Sequence, residues 1–294
     1  MSGEPTTVTP ALLREWALPE PGSSKDARGA ALVIGGSSST PGAVILSGEA
    51  ALRAGGGKLQ VATVDSTAGQ VSLALPEALV RGFPETGAGN VAADACDDLR
   101  EMAASASATL LGPGLVDPDE SADLLEGIVP RLDSGHVVVD ALGTAYLTRH
   151  PDGLHHLDGR AVVTVNPDEL AHTLGTDRGS VEDDPLEAAA ELASRARAVV
   201  LCGGPEKFVV TTGGDRYRVT EGGPGLGTSG SGDVQAGLVA GLLARGAEPA
   251  QAAVWGAFLH GAAGDRVAQE RGRLGFLARE VAPEVPVLLT WLEG

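Results

Sequence analysis

The sequence predicts an α/β protein, with a central, mostly parallel sheet covered by helices on both faces and an antiparallel hairpin at one edge. Three observations predict it. Short, wholly apolar runs recur between helical patterns at residues 108–111, 137–139, 162–165 and 198–201, and strands without polar alternation are strands buried on both faces. Glycine is abundant at 42 residues while aromatics are only 3%, so Ala, Val and Leu must build the core with backbones in close approach. A chain of 294 residues that is 43% hydrophobic can bury a full core without disulfides. One domain over residues 1–294 is expected, of which residues 1–24 form an N-terminal lead-in.

The elements follow in order. Residues 31–34, a Gly/Ser loop at 35–39, a helical stretch at about 41–54 and residues 58–64 read as strand, loop, helix, strand. Pro41 suits the first helical turn, Thr40 its cap, and Gly55, Gly56 and Gly57 its end. A helix between two strands implies that they are parallel. Residues 208–219, with Gly213 and Gly214 in the middle, read as the edge hairpin. Two helices close the chain, one over residues 233–245 ending at Gly246 and one after Pro249 continuing to about Gln269. Gly237, Gly241, Gly256, Gly261 and Gly264 lie inside them. Each costs about 1 kcal/mol against alanine, so they should permit close packing of these helices on each other or on the sheet. Residues 182–185 and 282–286 read as exposed loops.

Charge and motif arithmetic excludes several functions. A formal net charge of −18 repels phosphodiester backbones and anionic lipid at long range, so neither nucleic acid nor a membrane surface is an expected partner. No long uncharged apolar run is present, and a cytoplasmic location is expected. The three lysines, Lys25, Lys58 and Lys207, form no Gly-Lys-Ser/Thr sequence, which excludes a Walker-type loop. Cys96 and Cys202 lack metal or disulfide spacing and read as buried thiols. The six histidines show no metal spacing either. His155 and His156 are adjacent and would point to opposite sides of a strand, whereas His260, Trp255 and Phe258 read as core.

An anionic ligand must then be held locally, by backbone N–H groups. Gly222 to Gly232 run through six glycines straight into Asp233 and an apolar helix. Small residues let successive N–H groups converge on a phosphate at the helix N-terminus, here Thr228, Ser229, Gly230, Ser231 and Gly232, with the Asp233 carboxylate placed to accept a hydroxyl proton. The other reading is a flexible loop in which Asp233 only caps the helix. The literal Gly-x-G-x-x-Gly match at residues 225–230 follows no strand directly and is followed by no acidic strand end, so it is not a dinucleotide fingerprint.

Gly230 to Asp233 resemble the Gly-[Ala/Thr]-Gly-Asp signature of ribokinase-like kinases. Within that superfamily, residues 25–29, 31–37, 41–43 and 50–57 resemble the opening of ADP-dependent NAD(P)H-hydrate dehydratases, and residues 111–115 resemble their second signature. The likeness extends from Thr9 to about Val267. It implies a ribokinase-like fold and a repair lyase: ADP (or ATP) phosphorylates the hydroxyl of hydrated NADH or NADPH, and elimination leaves NAD(P)H, AMP and phosphate. Asp233 would be the base, and Ala43 and Gly114 match positions that line the hydrate site. Mg²⁺ would bridge the nucleotide phosphates, and a homo-oligomer, commonly a tetramer, is implied by the resemblance alone.

The chain departs from that pattern at three places. Asn166-Pro167-Asp168-Glu169 replaces the usual His-Pro-Gly-Glu, so Asn166 stands for a substrate-binding histidine. The strand-end acidic motif is shortened to Asp140-Ala141-Leu142. Cys202 replaces a lysine before Gly203 and Gly204 in the nucleotide loop, and Lys207, five residues on, could reach the same phosphates. Glu169 would hold the metal's water shell, or with Asn166 would merely cap a helix. A small-molecule kinase of the superfamily and a nucleotide-binding paralogue without turnover remain the alternatives.

Overall fold

In the computed structural model, which describes residues 4–294, the apolar runs assemble into a ten-stranded sheet. Its strands are β1 (Thr6–Thr7), β2 (Ala30–Ile34), β3 (Lys58–Val64), β4 (Ala78–Phe83), β5 (Ala108–Leu111), β6 (His136–Asp140), β7 (Ala161–Val165), β8 (Val199–Cys202), β9 (Lys207–Val210) and β10 (Arg216–Val219). The order is β1-β10-β9-β8-β7-β6-β5-β2-β3-β4. Only β9 runs against the others. The chain builds outward from β2 to β4, then returns to the far side of β2 as β5 and continues the other way. The topological switch point, where open α/β sheets bind ligands, therefore lies between β2 and β5.

The helices are α1 (Pro10–Glu15), α2 (Gly42–Arg53), α3 (Asp65–Ala74), α4 (Cys96–Ala104), α5 (Pro118–Ile128), α6 (Ala145–Arg149), α7 (Pro167–Leu174), α8 (Arg178–Asp183), α9 (Pro185–Ala196), α10 (Ser231–Ala244), α11 (Pro249–Arg271) and α12 (Val285–Glu293). Alternate strand residues divide the core between the two faces, as the period of two requires. Val33, Leu110, Val138 and Leu201 pack with α2, α10 and α11. Ile34, Leu111, Val139 and Val200 pack with α4, α5 and α9. None of the described helices is long and apolar enough to cross a membrane.

The internal glycines of α10 do permit close approach, but mainly to α2. A Cβ on Gly237 would lie 2.2 Å from the Ser47 carbonyl oxygen, and one on Gly241 the same distance from that of Ala51. Both pairs advance by four residues, so α2 and α10 are parallel and in register. Of the others, Gly256 meets Val239 of α10, while Gly261 and Gly264 admit the loop at Glu221 and Leu226.

Several local expectations are corrected. Thr40 does not cap α2: its Oγ1 donates to the Gly114 carbonyl at 2.6 Å, which ties the loop after β2 to the loop after β5. Residues 282–286 are helical and partly buried, because Ala282 and Val285 face the core. Residues 182–185 form the junction of α8 and α9, where Asp184 caps the second helix. His155 and His156 lie on a 3-10 turn and bond two different carbonyls, those of Arg195 and Val129. The hairpin is one strand short of the edge, since β1 pairs with β10. The lead-in is anchored through the Trp16 carbonyl, which accepts bonds from Gln251 and Trp255. Cys96 and Cys202 are free and buried, and Trp255 and Phe258 are core.

Candidate active site

A cavity of about 790 Å³ opens at the carboxyl ends of β6, β7 and β8. Four pieces of chain surround it: Asp140 and Ala141 after β6, the start of α7, the loop at Gly203 to Pro205, and residues 222–233 leading into α10. Of the residues picked out from the sequence, Asn166, Glu169, Gly203, Gly204, Lys207, Thr228, Gly230, Ser231, Gly232 and Asp233 line it. Ser229 is exposed and outside the lining, and Ala43 and Gly114, both half-buried, are outside it too.

The glycine loop ends in an uncapped helix. Gly230 takes a left-handed φ of 88° at the N-cap of α10, and no side chain bonds the first turn. The helix begins at Ser231, two residues earlier than the sequence suggested. The Ser231 amide donates to Thr228 and that of Val234 to Gly230, which leaves the Gly232 and Asp233 N–H groups without an intrahelical acceptor, as at any helix start. Two free donors on a positive helix end make an anion site. The loop itself is fastened through one peptide: Lys207 Nζ donates to the Glu221 carbonyl at 2.8 Å, and the Gly222 amide donates to Asp265 Oδ2 at 2.9 Å.

Three carboxylates face this site. Asp233 has its pKa raised to about 6, first by burial and then by the Glu169 charge. Burial also raises Glu169. Asp140, only 6% exposed, is held well above the carboxylate range by burial and by Glu169 and Asp233, while Thr164 Oγ1 donates to it at 2.6 Å. Ala141 beside it has φ 49°. Against these acids the lining offers one lysine or arginine, Lys207, whose own pKa is lowered by burial. A phosphate here would be held mainly by backbone and helix dipole. Among the described residues no three His, Cys, Asp or Glu side chains are placed to hold a metal by themselves. The acids instead suit a hard cation that keeps waters and phosphate oxygens as ligands.

Asn166 and Glu169 form a reciprocal capping box on α7: Asn166 Oδ1 accepts from the Glu169 amide and Glu169 Oε2 from the Asn166 amide, both at 2.9 Å. Cys202 points into the core cluster on the far face, with its thiol pushed up to about 12 by burial; its neighbours Leu201 and Gly203 line the cavity and it does not. Ala43 and Gly114 meet each other at the switch point, where a Cβ on Gly114 would lie 2.8 Å from the Ala43 Cβ. The α2–α10 register, continued one turn toward the N-termini, would set Asp233 opposite Ala43, between the cavity and the switch-point crevice. Asp140, Thr164, Gln235 and His260 also line the cavity; the sequence named Asp140 as the shortened strand-end motif and His260 as core, and assigned none of the four to the site. Only Asp140 carried a signal, as an acid at a strand end.

A family model described as NAD(P)H-hydrate dehydratase matches residues 31–286. An ADP-dependent (S)-NAD(P)H-hydrate dehydratase from Xanthomonas campestris is 42% identical over 292 residues, covering 96% of each chain. Bifunctional NAD(P)H-hydrate repair enzymes also match, and this chain spans about half of their length. Two solved structures share the fold. One is an ADP/ATP-dependent NAD(P)H-hydrate dehydratase from Bacillus subtilis crystallised with ATP and Mg²⁺, at TM-score 0.81, 23% identity and 99% coverage of both chains. The other is a ribokinase-like superfamily protein from Enterococcus faecalis, at TM-score 0.80 and 20% identity, covering 98% of this chain and 97% of that one.

Proposed function

The chain belongs to the NAD(P)H-hydrate dehydratase family, and from that premise we propose that it is an ADP-dependent lyase restoring NADH or NADPH from their hydrates. The observation that carries the reading is the place of Asp233, a carboxylate at the uncapped start of α10 with the cavity on one side and Ala43 and Gly114 on the other. ADP occupies the cavity with its terminal phosphate on the Gly232 and Asp233 amides. The hydrated nicotinamide enters the crevice at Ala43 and Gly114, on the Asp233 side away from the nucleotide. Asp233 takes the proton of the ring hydroxyl as its oxygen attacks the phosphorus and AMP leaves. The phosphorylated carbon then loses phosphate, the neighbouring carbon gives up a proton, and the ring double bond returns.

The pKa near 6 of Asp233 suits this role, because the group is ionised at neutral pH yet basic enough to take a proton. Glu169 would hold Mg²⁺ through water. When bound, the ion supplies positive charge to the transferring phosphates. Lys207 keeps the Gly222 loop in place and lends the only cationic side chain of the lining to the nucleotide.

The test is to mix the protein with hydrated NADH, Mg²⁺ and either ADP or ATP and follow the return of reduced-nicotinamide absorbance, with Asp233→Asn beside it. Recovery with release of inorganic phosphate, lost in the variant, is expected. A stable phosphate ester would instead identify a kinase, and ADP binding with no product would identify a protein without turnover.

A further inference from the structure

His260 reaches the α10 N-terminus from behind, on α11, and the reaction as described does not use it. It lines the cavity while only 3% exposed, and its Nε2 lies 3.0 Å from Ser231 Oγ, which is itself buried. Its Nδ1 is buried and has no hydrogen-bond partner among the described residues. Burial, with the Lys207 ammonium nearby, holds its pKa down to about 3, so the ring is neutral and carries one proton.

That proton has two possible homes. On Nδ1 it would be a buried N–H with nothing to accept it. On Nε2 it is donated to Ser231, and Nδ1 is left as a bare acceptor. A buried orphan N–H is the rarer and costlier defect, so the proton belongs on Nε2. A serine oxygen that accepts from His260 must aim its own hydrogen elsewhere. No acceptor among the described residues takes it, and the open side is the cavity, beside the free amides of Gly232 and Asp233.

We infer that His260 is a positioning residue whose Nε2–H fixes Ser231 so that its hydroxyl hydrogen points into the anion site as a third donor to the transferring phosphoryl group. The inference rests on the nucleotide reading above for the identity of the ligand. A donor aimed at charge that grows during transfer acts on kcat more than on KM.

The experiment has two arms. In the first, kcat and the KM for ADP are measured in His260→Met, His260→Gln, Ser231→Ala and the Ser231→Ala/His260→Met double variant, with thermal unfolding of each. Methionine fills the space without a donor, whereas the glutamine amide offers an N–H near the position of Nε2. Expected are a loss in kcat of about 10- to 100-fold in His260→Met with KM changed less than about 3-fold, recovery of most of that loss in His260→Gln, and a double variant no worse than Ser231→Ala. Wild-type kcat in His260→Met, a His260→Gln as impaired as His260→Met, or losses that multiply in the double variant would overturn the inference. In the second arm, ¹⁵N–¹H correlation spectra of the unmodified protein assign the His260 tautomer; a proton on Nε2 is expected, and one on Nδ1 overturns the inference even if no variant folds. Should the wild type itself fail to dehydrate the hydrate, the functional reading falls, while the tautomer still decides the positioning of Ser231.

Discussion

Two helix N-termini face the same cavity, and their first turns are completed in opposite ways. The start of α7 is closed by its own side chains, with Asn166 and Glu169 each accepting the other's amide. The start of α10 has a left-handed glycine where a capping side chain would stand, and its amides stay open. The dipole is the same at both. What differs is whether the orphan donors are already used, and so the proposed anion site is on α10. At α7 the side chains, rather than the backbone, are what remain for chemistry.

The largest effect should come from removing the acid of the open turn. Asp233→Asn is expected to lower turnover by about 10²- to 10⁴-fold while isothermal calorimetry still detects ADP, because the amides proposed to hold the phosphate are untouched. Loss of ADP binding in this variant would show that the carboxylate, and not the backbone, organises that turn.

The same substitution should stabilise the fold. Asp233 has a folded pKa above its unfolded value, so its contribution to stability is full below about pH 4 and is lost as pH rises through about 6. The difference between Asp233→Asn and wild type should therefore open over that interval and level off at about 1–2 kcal/mol, after allowance for the partial exposure of the group. Denaturant unfolding at pH 4.5 and 7.5 gives the answer, and an equal difference at both pH values would contradict it. Turnover of the wild type should follow the complementary course, falling as pH drops through about 6 and the base takes up a proton.

Giving the open turn a side chain is the next way to break the comparison. Gly230→Ala must adopt φ 88° and place its Cβ 2.4 Å from Leu46 Cδ1, which should cost about 1–3 kcal/mol and weaken ADP binding. The strain lies in the loop that presents the amides, so stability and affinity should fall together; stability lost at unchanged affinity would mean that the amides are set by the helix alone.

The closed turn sharpens the contrast with smaller effects. Glu169→Gln preserves both capping bonds, since an amide oxygen accepts as the carboxylate does, but removes the charge. It should leave the melting temperature nearly unchanged, raise the Mg²⁺ concentration needed for half-maximal activity and lower the pKa of Asp233. Asn166→Ala does the reverse: it should cost about 1 kcal/mol of stability through the lost cap and leave the Mg²⁺ requirement unchanged. If the two variants behave alike, the capping box is all that these residues provide.

Much of this was legible in the chain. The apolar runs located β2, β3 and β5 to β8, because a strand buried on both faces writes its environment into every residue, and the hairpin reading located β9 and β10. The short β1 escaped notice because two exposed threonines carry no period, and β4 because its alternate residues are exposed at the opposite edge. The helical character of residues 282–286 was hidden by proline and glutamate, which read as loop until Val285 and Ala282 are seen to face the core. Within the site, Asp233 and its glycines stood out because an anion hole needs small residues in a row. His260 did not, since a histidine among apolar neighbours on a helix reads as core whether or not its far edge meets a serine 29 positions away.

The sequence by itself therefore determined the class of sheet, the site loop and the acid at its end, since all three depend on residue type and local spacing. Only the tertiary structure decided that Cys202 faces the core, that Lys207 holds the Glu221–Gly222 peptide, that burial and Glu169 raise Asp233, and that α2 and α10 run side by side at Ser47 and Ala51. Those facts depend on which face of a strand a side chain takes and on the register of two helices far apart in the chain. Burial and charge act through space, and no pattern confined to neighbouring residues encodes them.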